Sequence, residues 1–288
     1  MKVALPLLCS LAVLPAPRQD DPPPQEPERA ESWPALVDRE RVEKDVSRLR
    51  KANTEEMGEQ AHAALVADGA MVAPLLLKAL GKERDADARD RLRAVLDAVV
   101  AAPHTRLLAE WFDHEAVAVR VWTQRAAARW ADPGLAAAAR SAWQAVAKRG
   151  ERAEEDERFA AALLLVSTGD TEHLEPLYER GEREWSRCGA ELARVFGAVR
   201  GRGVERELVA ALKGAERRRA SVCLRLLAAC GTRGELNAVA PFLDSNDSTL
   251  RIDAINACRG IVDGEAPLER LAVFEAIEMA KRWRERLK

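Results

Sequence analysis

Histidines, cysteines and short glycine or serine motifs are the features of this 288-residue chain that could carry out chemistry. The four histidines, His62, His104, His114 and His173, form no HExxH pair, so the sequence predicts no zinc-protease site. CxxC, GxSxG and glycine-rich phosphate loops are also missing from the sequence. We therefore predict no catalytic residue, no cofactor and no metal site.

The cysteines of the second half, Cys188, Cys223, Cys230 and Cys258, raise the question of disulfides. Cys223 and Cys230 are seven residues apart on one predicted helix, which separates them by roughly 10 Å. Cys223 and Cys258 occupy similar positions on neighbouring predicted helices, whose axes lie about 8–10 Å apart. A disulfide needs Cα atoms about 5.5 Å apart. We predict buried free thiols, with disulfide pairing as the alternative.

Composition and charge restrict the classes of fold and function. The chain contains 45 Lys and Arg against 47 Asp and Glu, a formal net charge of −2, without the basic excess of a nucleic-acid-binding protein. Alanine, leucine, arginine and glutamate dominate and aromatic residues make up only 5%, which favours helices. We therefore predict an all-α fold and no nucleic-acid partner.

The N-terminal residues have the pattern of an export signal. Lys2 is followed by twelve mostly apolar residues, which are too few for a membrane span of about 20 residues but suit a signal-peptide core. We predict a signal peptide over residues 1–16, with an ordinary disordered terminus as the alternative. A proline-rich linker is predicted over residues 17–34. These segments indicate an extracytoplasmic protein, periplasmic or secreted, without a stable membrane span.

An arginine register recurs along the rest of the chain. With Arg251 as position zero, Ala254 and Ala257 lie at +3 and +6, and the same small or apolar spacing follows other arginines. The register arginines are Arg89, Arg120, Arg158, Arg187, Arg217 and Arg251, separated by 31, 38, 29, 30 and 34 residues. A period of about 30 residues with two helical patterns in each unit predicts stacked helix pairs.

Apolar runs that contain a proline precede three of the register helices. They are Ala73-Pro74-Leu75, Glu175-Pro176-Leu177 and Ala240-Pro241-Phe242. Together with acidic turns and the arginine register, they resemble the HEAT-repeat family, including its shorter bacterial variants. The resemblance implies a right-handed α-solenoid of about six to seven helix pairs over residues 35–265, with a capping helix over residues 266–288.

The resemblance also implies a structural role for the register arginines, because the family's repeated arginine pairs with an aspartate in a turn between helices. Asp85 and Asp247 stand four residues before Arg89 and Arg251, as that pattern requires. Arg120 has Asp113 and Glu115 nearby and Arg158 has Glu154 four residues before it, whereas Arg187 and Arg217 have no acidic residue at this spacing.

Two further hypotheses concern partner-binding surfaces. Trp122 at +2, beside Arg125 and Arg129, would form a binding patch if its ring were exposed, although packing is the favoured interpretation. Trp130 at +10 is predicted to lie in the core. The alternative to a structural register is a cationic strip for an acidic partner. Its members would be Arg120, Arg125, Arg217, Arg225, Arg251 and Arg259, with Arg125, Arg225 and Arg259 as the main contributors. If the register is structural, Arg251→Ala lowers the melting temperature, whereas Arg225→Ala and Arg259→Ala do not.

These patterns predict an exported, non-catalytic repeat scaffold that binds a partner protein. The alternative is an enzyme or lyase-type chaperone of the same repeat group, acting through a pocket that the sequence does not identify. A pocket of convergent polar groups would favour the enzyme, and a smooth, extended groove would favour the scaffold.

Overall fold

A computed structural model describes residues 30–288. The predicted signal peptide (1–16) and most of the predicted linker (17–34) lie outside the described residues. All regular secondary structure of residues 30–288 is helical, which confirms the all-α prediction. These residues form thirteen α-helices and six short 3-10 helices.

The helices follow one another with short connections. The first six are α1 (Arg39–Arg50), α2 (Glu55–Ala67), α3 (Ala73–Lys82), α4 (Ala86–Val99), α5 (Val117–Ala128) and α6 (Ala136–Arg149). The remaining seven are α7 (Glu155–Ser167), α8 (Glu175–Ala198), α9 (Val204–Leu212), α10 (Arg217–Cys230), α11 (Leu236–Val239), α12 (Ser248–Val262) and α13 (Val273–Arg286). The 3-10 helices are Gly69–Val72, Ala102–Trp111, Pro133–Leu135, Gly150–Arg152, Arg233–Glu235 and Ala240–Asp244.

Helix starts follow from the local sequence. Thr54, Asp85 and Asp247 accept hydrogen bonds from backbone N–H groups of the first turn of α2, α4 and α12, which satisfies donors that have no partner within the helix. The prolines of the three predicted proline-containing runs lie in the first turn of α3, of α8 and of the 3-10 helix Ala240–Asp244. Proline is tolerated there because its missing N–H has no helical partner in any case.

The helix α8 combines two predicted helices without a loop. Its backbone leaves the helical region at Glu184 (φ −138°, ψ 39°), so the part that contains Arg187 runs in a different direction from the part that contains Pro176. The five helices α5, α7, α8, α10 and α12 pack in succession, each against the next. They are the register helices from Arg120 onward, and α6, α9 and α13 lie against α7, α10 and α12.

Burial of the register helices explains their composition. Nine consecutive residues of α7, from Phe159 to Ser167, are buried, and α12 is buried from Asp253 to Cys258. A helix that is covered on all sides must be apolar or small around its whole circumference. The alanines and leucines of the register therefore lie between neighbouring helices.

Within residues 30–288, no single helix has the length and apolar composition needed to cross a membrane. The segments Glu55–Ala67 and Gly69–Lys82 meet both conditions only as a pair, which is bent by 113°.

Helices α10 and α12 approach most closely at Gly260. A Cβ atom at this position would lie well inside van der Waals contact with the Ala228 carbonyl oxygen of α10. Only glycine therefore permits this backbone-to-backbone approach, because the obstructing atom is a carbonyl that cannot move independently of its helix.

We expect Gly260→Ala to lower the free energy of unfolding by about 2 kcal/mol or more, because the added methyl group forces α10 and α12 apart. Gly58→Ala in α2 is the matched control, since a Cβ there would meet Ala52 at an ordinary 3.5 Å. Alanine is the better helix former, so the control should be neutral or stabilised by up to about 1 kcal/mol. Urea unfolding monitored by circular dichroism measures both, and equal midpoints would contradict the close approach.

Candidate binding groove

Helices α8, α10 and α12 border a groove of about 750 Å³. Its fourth side is the irregular segment of residues 264–272 between α12 and α13, which we call the strap. The lining combines one tryptophan, Trp185, with alanine and isoleucine side chains and with polar groups from α10 and α12. A concave site with few, convergent polar groups is typical of a ligand-binding surface.

A buried carboxylate is the central polar group of the groove. The Asp253 side chain is only 5% exposed and accepts hydrogen bonds from Arg225 Nε at 2.9 Å and from the Ser221 hydroxyl. Burial raises the pKa of the Asp253 carboxyl, and the bonds from Ser221 and Arg225 oppose that shift. Since both partners stand on α10, this network fixes α12 against α10.

Trp185 provides the aromatic surface of the groove. The Arg225 guanidinium carbon lies 5.2 Å from the centroid of the Trp185 ring, within the range of a cation–π contact. A Cβ at Gly189 would lie 2.6 Å from the indole. Because Gly189 has no side chain, the Trp185 indole can lie against this part of α8. Trp185 is half-buried, and part of its ring is available to a ligand.

The strap is held on α12 through its main chain. Asn256 Oδ1 accepts a hydrogen bond from the Leu268 N–H at 2.8 Å, and Asn256 Nδ2 donates to the Leu268 carbonyl at 3.2 Å. Arg259 pairs with the Glu265 carboxylate at 2.8 Å. Leu268 thereby becomes part of the groove lining.

Asp253 and Asn256 were not predicted from the sequence. Asn256 stands at +5 of its register, where α7, α8 and α10 have Leu163, Leu192 and Val222. A polar residue at a position that is apolar in neighbouring units is the signal that could have identified it. Its partner on the strap could not be found in the same way, because an irregular segment has no periodicity.

Four register arginines bind the turn that precedes their own helix. Arg89, Arg158 and Arg251 donate to the carbonyls of Arg84, Ala153 and Ser245 at 3.0, 2.9 and 2.6 Å, and Arg120 donates to that of Glu115 at 2.8 Å. Each acceptor lies five or six residues before its arginine. The register arginine therefore satisfies a carbonyl of the connecting turn.

Asp85 and Asp247 do not pair with the register arginine of their own helix; the resemblance also implies pairing with a neighbouring repeat, and Asp247 makes that contact with Arg217. Asp85 accepts from the Ala88 N–H at 2.8 Å as a helix cap. Asp247 caps α12 and pairs with Arg217 of the preceding unit at 2.5 Å. The expected pairs of Asp85 with Arg89 and of Asp247 with Arg251 are thus corrected, because a helix-cap aspartate already points at its own first turn.

The register arginines differ in burial. The Arg120 side chain is 7% exposed and its Nε lies 2.6 Å from Glu157, a carboxylate that is 1% exposed and that also binds Arg149. The Arg187 side chain is 81% exposed, and its carboxylate partner, Glu184, lies 3.6 Å away. Arg120 therefore joins α5 to α7 in the interior, whereas Arg187 lies in solvent.

The three main arginines of the predicted cationic strip each have a carboxylate partner. Arg125 pairs with Glu191 at 2.5 Å, Arg225 with Asp253 at 2.9 Å and Arg259 with Glu265 at 2.8 Å. Their charges are compensated within the protein. A role of these arginines in partner binding stays a prediction.

Trp122 is buried, as the favoured interpretation predicts, whereas Trp130 is exposed. Trp122 is 5% exposed, and its indole N–H donates to Asp97, which also pairs with Arg129 at 2.8 Å. Trp130, predicted as core, is 46% exposed. That prediction is wrong because α5 ends at Ala128 and the chain turns through Ala131 at φ 46°, so position +10 no longer follows the helix.

Three of the four histidines stack on tryptophan rings. The pairs are Trp33 with His104, Trp111 with His114 and Trp143 with His173. Within residues 30–288, no three His, Cys, Asp or Glu side chains are grouped as a metal site requires.

Cys188, Cys223, Cys230 and Cys258 are free and buried, which confirms the prediction of buried thiols. Burial raises the pKa of the Cys223 and Cys258 thiols to about 12. Because the thiolate is the reactive form, these groups are chemically inert at neutral pH.

Comparison of the chain with models of protein families, with curated proteins and with solved structures finds no match. Membership of the HEAT-repeat family therefore stays a prediction from the sequence pattern. The groove is the feature of the molecule from which a function can be inferred.

We expect Arg225→Ala to lower the free energy of unfolding by about 2–3 kcal/mol at pH 7, because it leaves the Asp253 carboxylate buried without its cation. This replaces the expectation that Arg225→Ala is silent. The control Arg217→Ala breaks a pair whose arginine is 66% exposed and should lose less than about 1 kcal/mol.

The loss in Arg225→Ala should also depend on pH. The folded-state pKa of Asp253 is raised above its unfolded value and rises further without Arg225, so the folded state takes up the proton first. The loss in free energy of unfolding caused by Arg225→Ala is therefore largest above the pKa that Asp253 has in the folded variant. It becomes smaller as the pH falls through that pKa. Urea titrations at pH 7 and pH 5 measure this, and a deficit that grows at pH 5 would contradict the assignment.

Among the register arginines, Arg120→Ala should destabilise most, by about 2 kcal/mol or more, because it leaves buried Glu157 with Arg149 alone and removes the donor to the Glu115 carbonyl. Arg251→Ala should lower the melting temperature moderately through the lost bond to Ser245. The solvent-exposed Arg187→Ala should leave it unchanged. Thermal unfolding of the three variants tests this order, and a silent Arg120→Ala would refute the structural role.

Proposed function

We propose that the chain is a HEAT-type helical-repeat scaffold that binds a segment of another protein in the groove between α8, α10 and α12. The succession of packed register helices supports the repeat assignment, because in a repeat stack each unit contacts only its neighbours. The export signal predicted for residues 1–16 assigns this binding to an extracytoplasmic compartment.

The observation that carries this proposal is the half-buried Trp185 in a groove whose lining combines apolar and hydroxyl-bearing side chains with the paired Asp253 and Arg225. Ala193, Ile252 and Leu268 provide apolar surface, and Ser186 and Thr249 provide hydrogen-bonding groups. Tryptophan in a concave, partly desolvated site is the residue most enriched among binding hot spots. Such a lining suits a peptide segment with apolar side chains and an extended main chain.

The charges of the groove favour binding over catalysis. Asp253 is held by Arg225 and Ser221, and Asn256 by the strap. These polar groups are engaged with one another and organise the lining. A ligand therefore meets the charges of Asp253 and Arg225 already compensated, and its apolar groups strand neither of them.

The framework of the groove is rigid before a ligand arrives. Its three helices form the buried row of the fold, and α10 and α12 are in backbone contact at Gly260. Binding to a preformed surface loses less conformational entropy than binding that must order the receptor.

Selection of a phage-displayed peptide library on the immobilised chain tests the proposal. We expect enriched peptides whose affinity falls at least tenfold in Trp185→Ala, the loss of one hot-spot contact of about 1.4 kcal/mol or more. Trp130→Ala is the matched control, because it removes a half-exposed indole at the end of α5, outside the groove. Ser186→Arg should weaken binding as well, since it puts a large charged side chain into the lining at an exposed position.

Thermal unfolding of each variant separates lost binding from lost structure. Peptides that bind wild type, Trp185→Ala and Ser186→Arg equally would place the binding surface elsewhere. Failure to enrich any peptide would contradict the peptide-binding function itself.

A further inference from the structure

The strap is an irregular segment that lines one side of the groove. Of residues 264–272 only Leu268 and Leu271 are partly covered, and the others are exposed. A segment with so few buried contacts opens more easily than the helices on either side of it.

Both ends of the strap are anchored independently of its middle. Helix α13 buries Ala276, Ala280 and Trp283 and packs on α12. Arg286 of α13 pairs with Asp263 at 2.5 Å, directly before the strap. The middle can therefore leave the groove while α13 stays docked.

The contacts that hold the middle of the strap can also be made by another peptide. Asn256 binds the N–H and the carbonyl of one residue, an arrangement that any extended peptide can offer. Arg259 binds the side chain of Glu265, an acidic residue three positions before Leu268. The contacted pattern is an acidic residue followed, three positions later, by an aliphatic one.

The strap forms one side of the groove and leaves the volume beside it open. Pro267, Leu268 and Glu269 line it from one side, and Trp185 and Ala193 belong to the same free volume of about 750 Å³. An extended segment longer than the strap could bind Asn256 and also reach Trp185.

We propose that the strap is an internal occupant of the binding groove, which the partner's peptide displaces from Asn256 and Arg259. This inference rests on the proposed function. It specifies the partner as an extended segment with an acidic residue three positions before an aliphatic one. The strap then lowers the apparent affinity for every partner and excludes segments that cannot compete with it.

The test uses a fluorescent synthetic peptide with the sequence of residues 263–271 and the full chain in two forms. In one form residues 265–270 are replaced by a Gly-Ser linker of the same length, which keeps α13 tethered. We expect the peptide to bind this form at least tenfold more tightly than wild type, because the tethered strap competes at high effective concentration. Fluorescence anisotropy measures both affinities.

A variant at Asn256 identifies the contact. Asn256→Leu in the linker form restores the residue type that α7 and α8 have at +5, so it should fold, and it should weaken peptide binding at least tenfold. Peptides with Glu265→Lys or Leu268→Asp should also bind at least tenfold more weakly. Equal binding by wild type and the linker form, or no binding by the linker form, would overturn the inference.

Hydrogen exchange provides a second measurement on the unaltered protein. A library-selected peptide at saturation should accelerate exchange of the Leu268 amide, whose acceptor is Asn256. An unchanged rate would show that partner and strap bind side by side, which overturns displacement. The proposed function is decided separately, by the dependence of the selected peptides on Trp185.

Discussion

Each register helix can bury its apolar circumference only when the next helix along the chain is in place, and the rest of the structure depends on this constraint. It explains why α7 is covered at nine consecutive residues and why Gly260 is needed where α10 and α12 meet. It also explains the placement of ionic groups, because Arg120, Arg217 and Arg225 each bind a carboxylate of the next register helix or its preceding turn. Stability in such an arrangement is shared between neighbours.

The periodic part of the molecule was accessible from the sequence. The arginine spacing identified the helices that form the central row, and the small residues at +3 and +6 indicated close packing, because both follow from 3.6-residue periodicity. The partners of the arginines were not accessible in the same way. Asp85 and Arg89 have a suitable spacing, but each finds a backbone partner first, and sequence spacing does not report that competition.

The groove was largely hidden from sequence reasoning for a different reason. Asp253 is bound by Ser221 and Arg225, 32 and 28 residues earlier, and Asn256 by Leu268 in an irregular segment. Such contacts depend on which helices become neighbours and on a chain path that has no period. Trp185 was visible as a residue, but its exposure depends on the space left by Gly189 on the same helix.

The last register helix, α12, makes the same type of ion pair as the internal helix α10. Arg225 and Arg259 both stand at +8 of their registers, and each binds a carboxylate further along the chain, Asp253 in α12 and Glu265 in the strap. Through this contact the last register helix, α12, binds the nine-residue strap, whereas the internal helix α10 binds a complete neighbouring helix. In the repeat arrangement that we propose, a duplicated unit inserted before residue 264 would again place an arginine at +8 next to Glu265. Lengthening by gene duplication or by engineering would then require no new terminus.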